Sequence, residues 1–278
     1  MAPWGTQAAP GLHHSLALLG HVTGRTLRRC RRIVGRRPLS CSTRLACLQM
    51  PHDLANPESL PQNVVAELRS VSKALWRAEY IDQLLEHVPL VRVAHMLNEH
   101  CIRDGVVGYH YTRGLRASFE QFGLQPQMGR QRRSQFLEEH GHRFTGAQRQ
   151  RLIDGWAQHF TKAQDSERDG RIWFALTDKE LRGTGAASLL RYYGGEALYF
   201  PFIDDTEIST ILRSIGCPLL VTCRLSTDHI TTFTSIPWGK VWLSTIHCAT
   251  NPDAHRHDID AYCMHPVPPE DLLEIREI

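Results

Sequence analysis

A chain of 278 residues, 42% hydrophobic and 22% charged, carries enough apolar material for one large core, which excludes an intrinsically disordered protein. No run approaches the roughly 18 consecutive apolar residues that a membrane span needs, so a soluble protein with no membrane partner is expected. The net charge of +3 does not point to nucleic acid: residues 1–50 hold eight arginines and no acid, leaving 24 basic against 29 acidic residues in the remainder.

The first 49 residues stand apart. The stretch TGRTLRRCRRIVGRRPLSCSTRLACL is rich in Arg, Ser and Thr and free of acids, the composition of an organellar transit peptide. Met50 opens a run of different character, MPHDLANPESLPQNV, so an unused upstream start is the alternative reading, and a basic arm for RNA or acidic lipid is a third. The expected location is the cytoplasm if translation begins near Met50, and a mitochondrion or other organelle if the leader is made. Three of the eight cysteines lie in the leader and the other five show no CxxC pair, so reduced, mostly buried thiols are expected.

Residues 50–100 read as a helical segment, and 101–278 as an α+β domain. Val64, Val65, Leu68, Val71 and Leu75 fall on one helical face, and Pro89 opens a further helix, PLVRVAHMLNEH. Asp104-Gly105 signals a turn, and GVVGYHYT behind it predicts a strand over 106–112. A helix over 114–122 should stop at Gly123. Another is expected from Ala147 to about Ala163, capped by Thr145 and burying Leu152, Ile153, Trp156 and Phe160.

From Arg171 the strand signals accumulate. RIWFAL reads as a strand, TDKELRGTGAASLLRYY as a loop-interrupted helix capped by Thr177 or a later threonine, and GEALYF as a strand entered through Glu196. DDTEISTILRSI is a helix with Asp205 near its cap, and PLLVTCRL a strand; KVWLST, AYCMHPV and LLEIREI are expected as edge strands. This order lacks the βαβα alternation of a doubly wound sheet, which favours an α+β fold.

There is no GxxxxGK[ST] phosphate loop and no GxSxG elbow, and GTGAAS at 183–188 is only a partial glycine fingerprint. Two histidine pairs, His140 with His142 and His255 with His257, could face a metal together with Asp258 or Asp260. Both lie in polar, loop-like sequence, so solvated imidazoles are expected and no metal is assigned. On the 106–112 strand, alternation sends Tyr109 and Tyr111 to one face and His110 and Thr112 to the other, a polar face that suggests a cleft.

The strand bearing H-x-T, the short helix ending in FEQFGL and the later YYGGEALYF resemble, in that order, elements of the ADP-ribosyltransferase superfamily. The resemblance covers residues 106–203 and implies a mixed, mainly antiparallel split sheet of that type, with NAD as cosubstrate and an unknown macromolecular acceptor. It implies that Glu196 stabilises an oxocarbenium-like ribose as nicotinamide departs, and that His110 bonds a ribose hydroxyl. Thr112 and Tyr111 would assist, Tyr192 or Tyr193 would stack on nicotinamide, and Arg113 or Arg116 would meet the pyrophosphate. Gly194 stands where arginine-modifying members carry Glu or Gln, so the implied acceptor is another residue, a base or water. A phosphate acceptor, as in an RNA 2′-phosphotransferase, and a non-enzymatic interaction module in which Glu196 caps a turn or forms a salt bridge are the alternatives.

Overall fold

The computed structural model describes residues 50–178 and 185–278; the leader, and part of the segment between Thr177 and Tyr193, lie outside the described residues. Helices α1 (Gln62–Ser70), α2 (Ser72–Arg77), α3 (Ile81–Leu84) and α4 (Val88–Asp104) form the N-terminal helical segment. Pro89 sits in the first turn of α4, where its missing N–H has no helical partner to lose. The helix ends at Gly105 (φ 84°), a conformation that lets the chain reverse directly into β1 (Val106–Gly114).

Next come α5 (Arg116–Phe122), α6 (Gly129–His140), α7 (Gly146–His159), α8 (Lys162–Arg168) and β2 (Ile172–Ala175). They are followed by α9 (Ala187–Arg191), α10 (Glu196–Tyr199), α11 (Thr206–Arg213), β3 (Cys217–Leu225), β4 (Ile230–Thr231), α12 (Pro237–Thr250), β5 (Asp260–Cys263) and β6 (Leu272–Glu277). Three of the caps read from the sequence are made; the Thr177 hydroxyl instead donates to Asp258, and the later threonine, Thr184, lies outside the described residues. The Thr145 hydroxyl accepts from the Gln148 N–H, the Asp205 carboxylate accepts from the Ile208 N–H, and α5 stops at Gly123 with φ 67°. The helix expected over 147–163 is two helices, because the Thr161 hydroxyl starts α8 with a bond from the Gln164 N–H.

The described strands form one antiparallel sheet in the order β4-β5-β2-β1-β3-β6, so the α+β architecture holds. One face carries Val106, Ile172, Phe174, Leu219, Val221 and Ala261 against α4, α12 and the other N-terminal helices, in the largest core. The opposite face carries Val107, Tyr109, Tyr111 and Leu220 under Ala186 and the α9 residues Leu189 and Leu190. A third cluster joins α6, α7, α10 and α11 through Phe136, Trp156, Leu198 and Ile208.

Two expected strands are helices. KVWLST lies inside α12, whose Trp238, Val241, Trp242, Thr245 and Ile246 are buried at spacings of one, three and four. The helix packs closely on α4: a Cβ on Gly239 would lie 1.9 Å from the Ala94 carbonyl oxygen. GEALYF forms α10 and the 3-10 turn Phe200–Phe202, with Leu198, Tyr199 and Phe202 turned into the third core. In both runs a few apolar residues satisfy a strand and a buried helix equally well, and tertiary burial decides between them.

Candidate functional site

β1 has two unlike edges. Toward β3 it is paired along its length, from Val106 opposite Leu225 to Gly114 opposite Cys217. Toward β2 the register holds one pair, Tyr109 opposite Ala175. Just past that pair the Trp173 carbonyl accepts a hydrogen bond from His110 Nδ1 at 2.9 Å, an imidazole standing where a further ladder bond would fall. Since a carbonyl only accepts, Nδ1 carries the proton and Nε2 keeps its lone pair. The ring lies 5.9 Å from that of Phe174, and burial lowers its pKa below the usual histidine value. At neutral pH it is a neutral acceptor.

Farther along the same edge, the chain returns from 80 residues away. Tyr193 forms a parallel bridge with Arg113, and the Gly194 N–H donates to the Arg113 carbonyl at 3.2 Å. Gly194 (φ 82°) and Gly195 (φ 77°) then turn the chain away from the sheet. A Cβ on Gly194 would fall 2.2 Å from Leu198 Cδ1, so both backbone angle and space call for glycine here. Glu196 opens α10, and its carboxylate accepts from Arg168 Nε at 3.1 Å, the two side chains being 40% and 32% exposed. A screened pair of this kind contributes about 0.2–1 kcal/mol.

Arg168 ends α8 and leads back toward β2. On the way the Asp169 carboxylate accepts from the Gly129 N–H at 2.6 Å, and the Gly170 N–H donates to the Gln127 carbonyl at 3.1 Å. The contacts therefore close a frame: His110 to Arg113 along β1, Gly194 to Glu196, Arg168 to Trp173, and back to His110. His110 and Glu196 stand at two points on this frame, with no direct bond between them among the described residues. Arg168 and the Trp173 carbonyl, which complete it, have no local sequence signal; both are reached only through long-range pairing.

The other expected site residues are placed as follows. Thr112 is half-buried on the same face of β1 as His110. Tyr111 is buried on the opposite face, and its hydroxyl points to the Thr177 carbonyl at 3.5 Å. Arg113 donates to three carbonyls, Ile215 and Gly216 at 2.9 Å each and Leu190 at 3.4 Å. Arg116 pairs with Glu120 on the surface of α5. Tyr192 is buried, stacked on Tyr199 at 5.1 Å, and its hydroxyl accepts from Arg213 at 3.1 Å. Tyr193 is buried between Arg132, 5.2 Å above its ring, and the His140 ring at 4.9 Å.

That last contact corrects the reading of the first histidine pair as solvated: His140 ends α6 and is buried against Phe136 and Tyr193, while His142 is exposed. In the second pair, His255 is exposed and stacks on Tyr80 at 4.5 Å, whereas His257 is half-buried with its backbone N–H donating to Ser244. Asp258, offered as a metal ligand, accepts from the Thr177 hydroxyl. Among the described residues no helix is long and apolar enough to cross a membrane. No family model, no curated protein and no solved structure matches this chain.

Proposed function

We propose that the chain breaks the nicotinamide–ribose bond of NAD, transferring ADP-ribose to an acceptor or to water, in a domain of ADP-ribosyltransferase type. The observation that carries this reading is the frame at the open edge of β1. One strand holds a neutral imidazole at the point where β2 parts from it, and receives near its end the backbone segment that ends in a half-exposed glutamate. In the reaction the C1′–N bond breaks and nicotinamide leaves with the bonding electron pair. Positive charge develops on the ribose, and the acceptor's nucleophilic atom forms the new bond to C1′ while its proton passes to solvent. Glu196 stabilises the developing charge and orients the 2′-hydroxyl; a fixed carboxylate is more effective there than reorganising water.

His110 Nε2 accepts from a ribose hydroxyl, a role that fits its tautomer, and Thr112 lies on the same face beside it. Tyr111 and Tyr193 are wall residues in this reading, holding the strand and the turn from behind, with Tyr192 one layer deeper. Arg113 supports the turn through its three carbonyl bonds, and Arg168 sets the glutamate rotamer. Glu196 on the first turn of a short helix, rather than at a strand entrance, puts its carboxylate beside a helical N-terminus. That position also suits the plain ion pair of an interaction module.

Nicotinamide release from NAD by the full chain decides between these readings. Wild-type turnover should fall about 100-fold or more in Glu196→Gln, equivalent to about 2.7 kcal/mol of transition-state stabilisation, with stability lowered by no more than the about 0.2–1 kcal/mol of one screened ion pair. Absence of turnover in the wild type, or equal turnover in the variant, would leave Glu196 as a structural ion-pair partner.

A further inference from the structure

At the opposite end of β1 lies a second polar cluster that owes nothing to the NAD reading. His100 and Asp104 are four residues apart on the last turns of α4 and so share a face. His52 is brought to them by the segment preceding α1. Its N–H donates to the Gly105 carbonyl at 3.0 Å, and its carbonyl accepts from the Val107 N–H at 2.9 Å. His52 Nε2 is 3.0 Å from Asp104 Oδ2, and one donor atom from each of His52, His100 and Asp104 lies within 4.8 Å of the other two. The His52 ring packs on Trp242 at 4.9 Å, and Asp104 is 5% exposed.

A cation already sits in this cluster. Arg103 Nη2 is 2.7 Å from His100 Nδ1 and 2.7 Å from Asp104 Oδ2, with Nε 2.8 Å from Oδ1. Because guanidinium only donates, His100 Nδ1 presents its lone pair to the point Arg103 occupies. The Arg103 side chain is 58% exposed, so it can swing into water, and an arriving cation takes its place as the counter-charge of the buried Asp104 carboxylate.

We propose that His52, His100 and Asp104 form a binding site for a divalent ion of the zinc class, for which Arg103 is the internal competitor. Two imidazole nitrogens and one carboxylate oxygen are a zinc donor set, and bonds of about 2.0–2.2 Å at a tetrahedral centre hold their donor atoms about 3.4 Å apart. Drawing the set in from within 4.8 Å needs side-chain rotation of about an ångström, with the fourth position left to water. Binding displaces the guanidinium, and the His52 proton moves from Nε2 to Nδ1 as the ring changes tautomer. The ion then joins the N-terminal segment to the end of α4, a bond between parts 48 residues apart that Arg103 alone does not make.

Titration of the full chain with Co2+, followed by competition with Zn2+, tests this. The wild type should bind one equivalent with the visible bands of a tetrahedral N/O site, and Zn2+ should raise its Tm. His100→Ala, on a half-exposed helical position, should lose more than about 100-fold in affinity, and His52→Gln should lose as much. Arg103→Ala should bind about tenfold tighter than wild type. The proposal is overturned if wild type and Arg103→Ala both fail to bind, since the three donors then hold no ion even with their competitor removed. It is equally overturned if binding is unchanged in both histidine variants, since the ion would then sit elsewhere.

Discussion

The two edges of β1 belong to one strand and follow opposite rules. Against β3 every residue is paired, and the side chains that result, Leu219, Val221 and Cys223 among them, are wholly buried in the main core. Against β2 the ladder stops after one pair, and the rest of the edge is filled by an imidazole, a glycine turn and an ion pair. The closed edge maximises burial and backbone pairing. The open edge leaves polar groups whose positions are set by contacts with three distant segments, which is what a binding frame requires and a core does not.

The sharpest way to break the contrast is to weaken the closed edge alone. Leu219→Ala removes a fully buried side chain on β3 and should cost about 2–5 kcal/mol in denaturant unfolding, while molecules that remain folded keep the nicotinamide release proposed for the wild type. A cost under about 1 kcal/mol would mean that the β1–β3 pairing does not bear the stability assigned to it. On the open edge, Gly194→Ala combines an unfavourable φ with a clash against Leu198 and should cost about 1–3 kcal/mol. Unlike the Leu219 variant, it should also lose turnover per folded molecule, because it moves Glu196.

The smallest expected effect lies in the pH dependence of stability. Burial lowers the His110 pKa in the folded state, so the unfolded chain binds this proton more readily. Its contribution is fully present above the unfolded value of about 6.5 and is lost as pH falls through the lowered folded value. His110→Gln should therefore flatten the decline in stability between about pH 7 and pH 5 relative to wild type. Parallel curves for the two proteins would show that the imidazole titrates as freely in the fold as out of it.

The parts of the fold that rest on local signals are legible in the sequence. Alternation in GYHYT located β1 and the His110 face, Gly123 ended α5, and Thr145 and Asp205 started their helices, because each signal is complete within a few residues. GEALYF and KVWLST misled for the converse reason. Their short apolar runs fit either period, and the deciding partners, Trp156 against Leu198 and Ala94 against Gly239, lie 42 and 145 positions away. The His52 cluster escaped for the same cause: His100 and Asp104 show helical spacing, but their third member stands nearly fifty residues upstream of the first. The two histidine pairs that did attract notice were adjacent in sequence and went to different surroundings.

Arg113 gives the open edge a history as well as a shape. Its guanidinium bonds carbonyls 77, 102 and 103 residues farther along, while its own carbonyl holds Gly194. Closing a flexible loop of that length costs about 4 kcal/mol before any contact repays it. The helices, whose bonds are local, need no such closure, whereas the meeting of β1 with the Gly194 turn depends on it. Carboxylate and imidazole therefore share a frame only through contacts that span most of the domain.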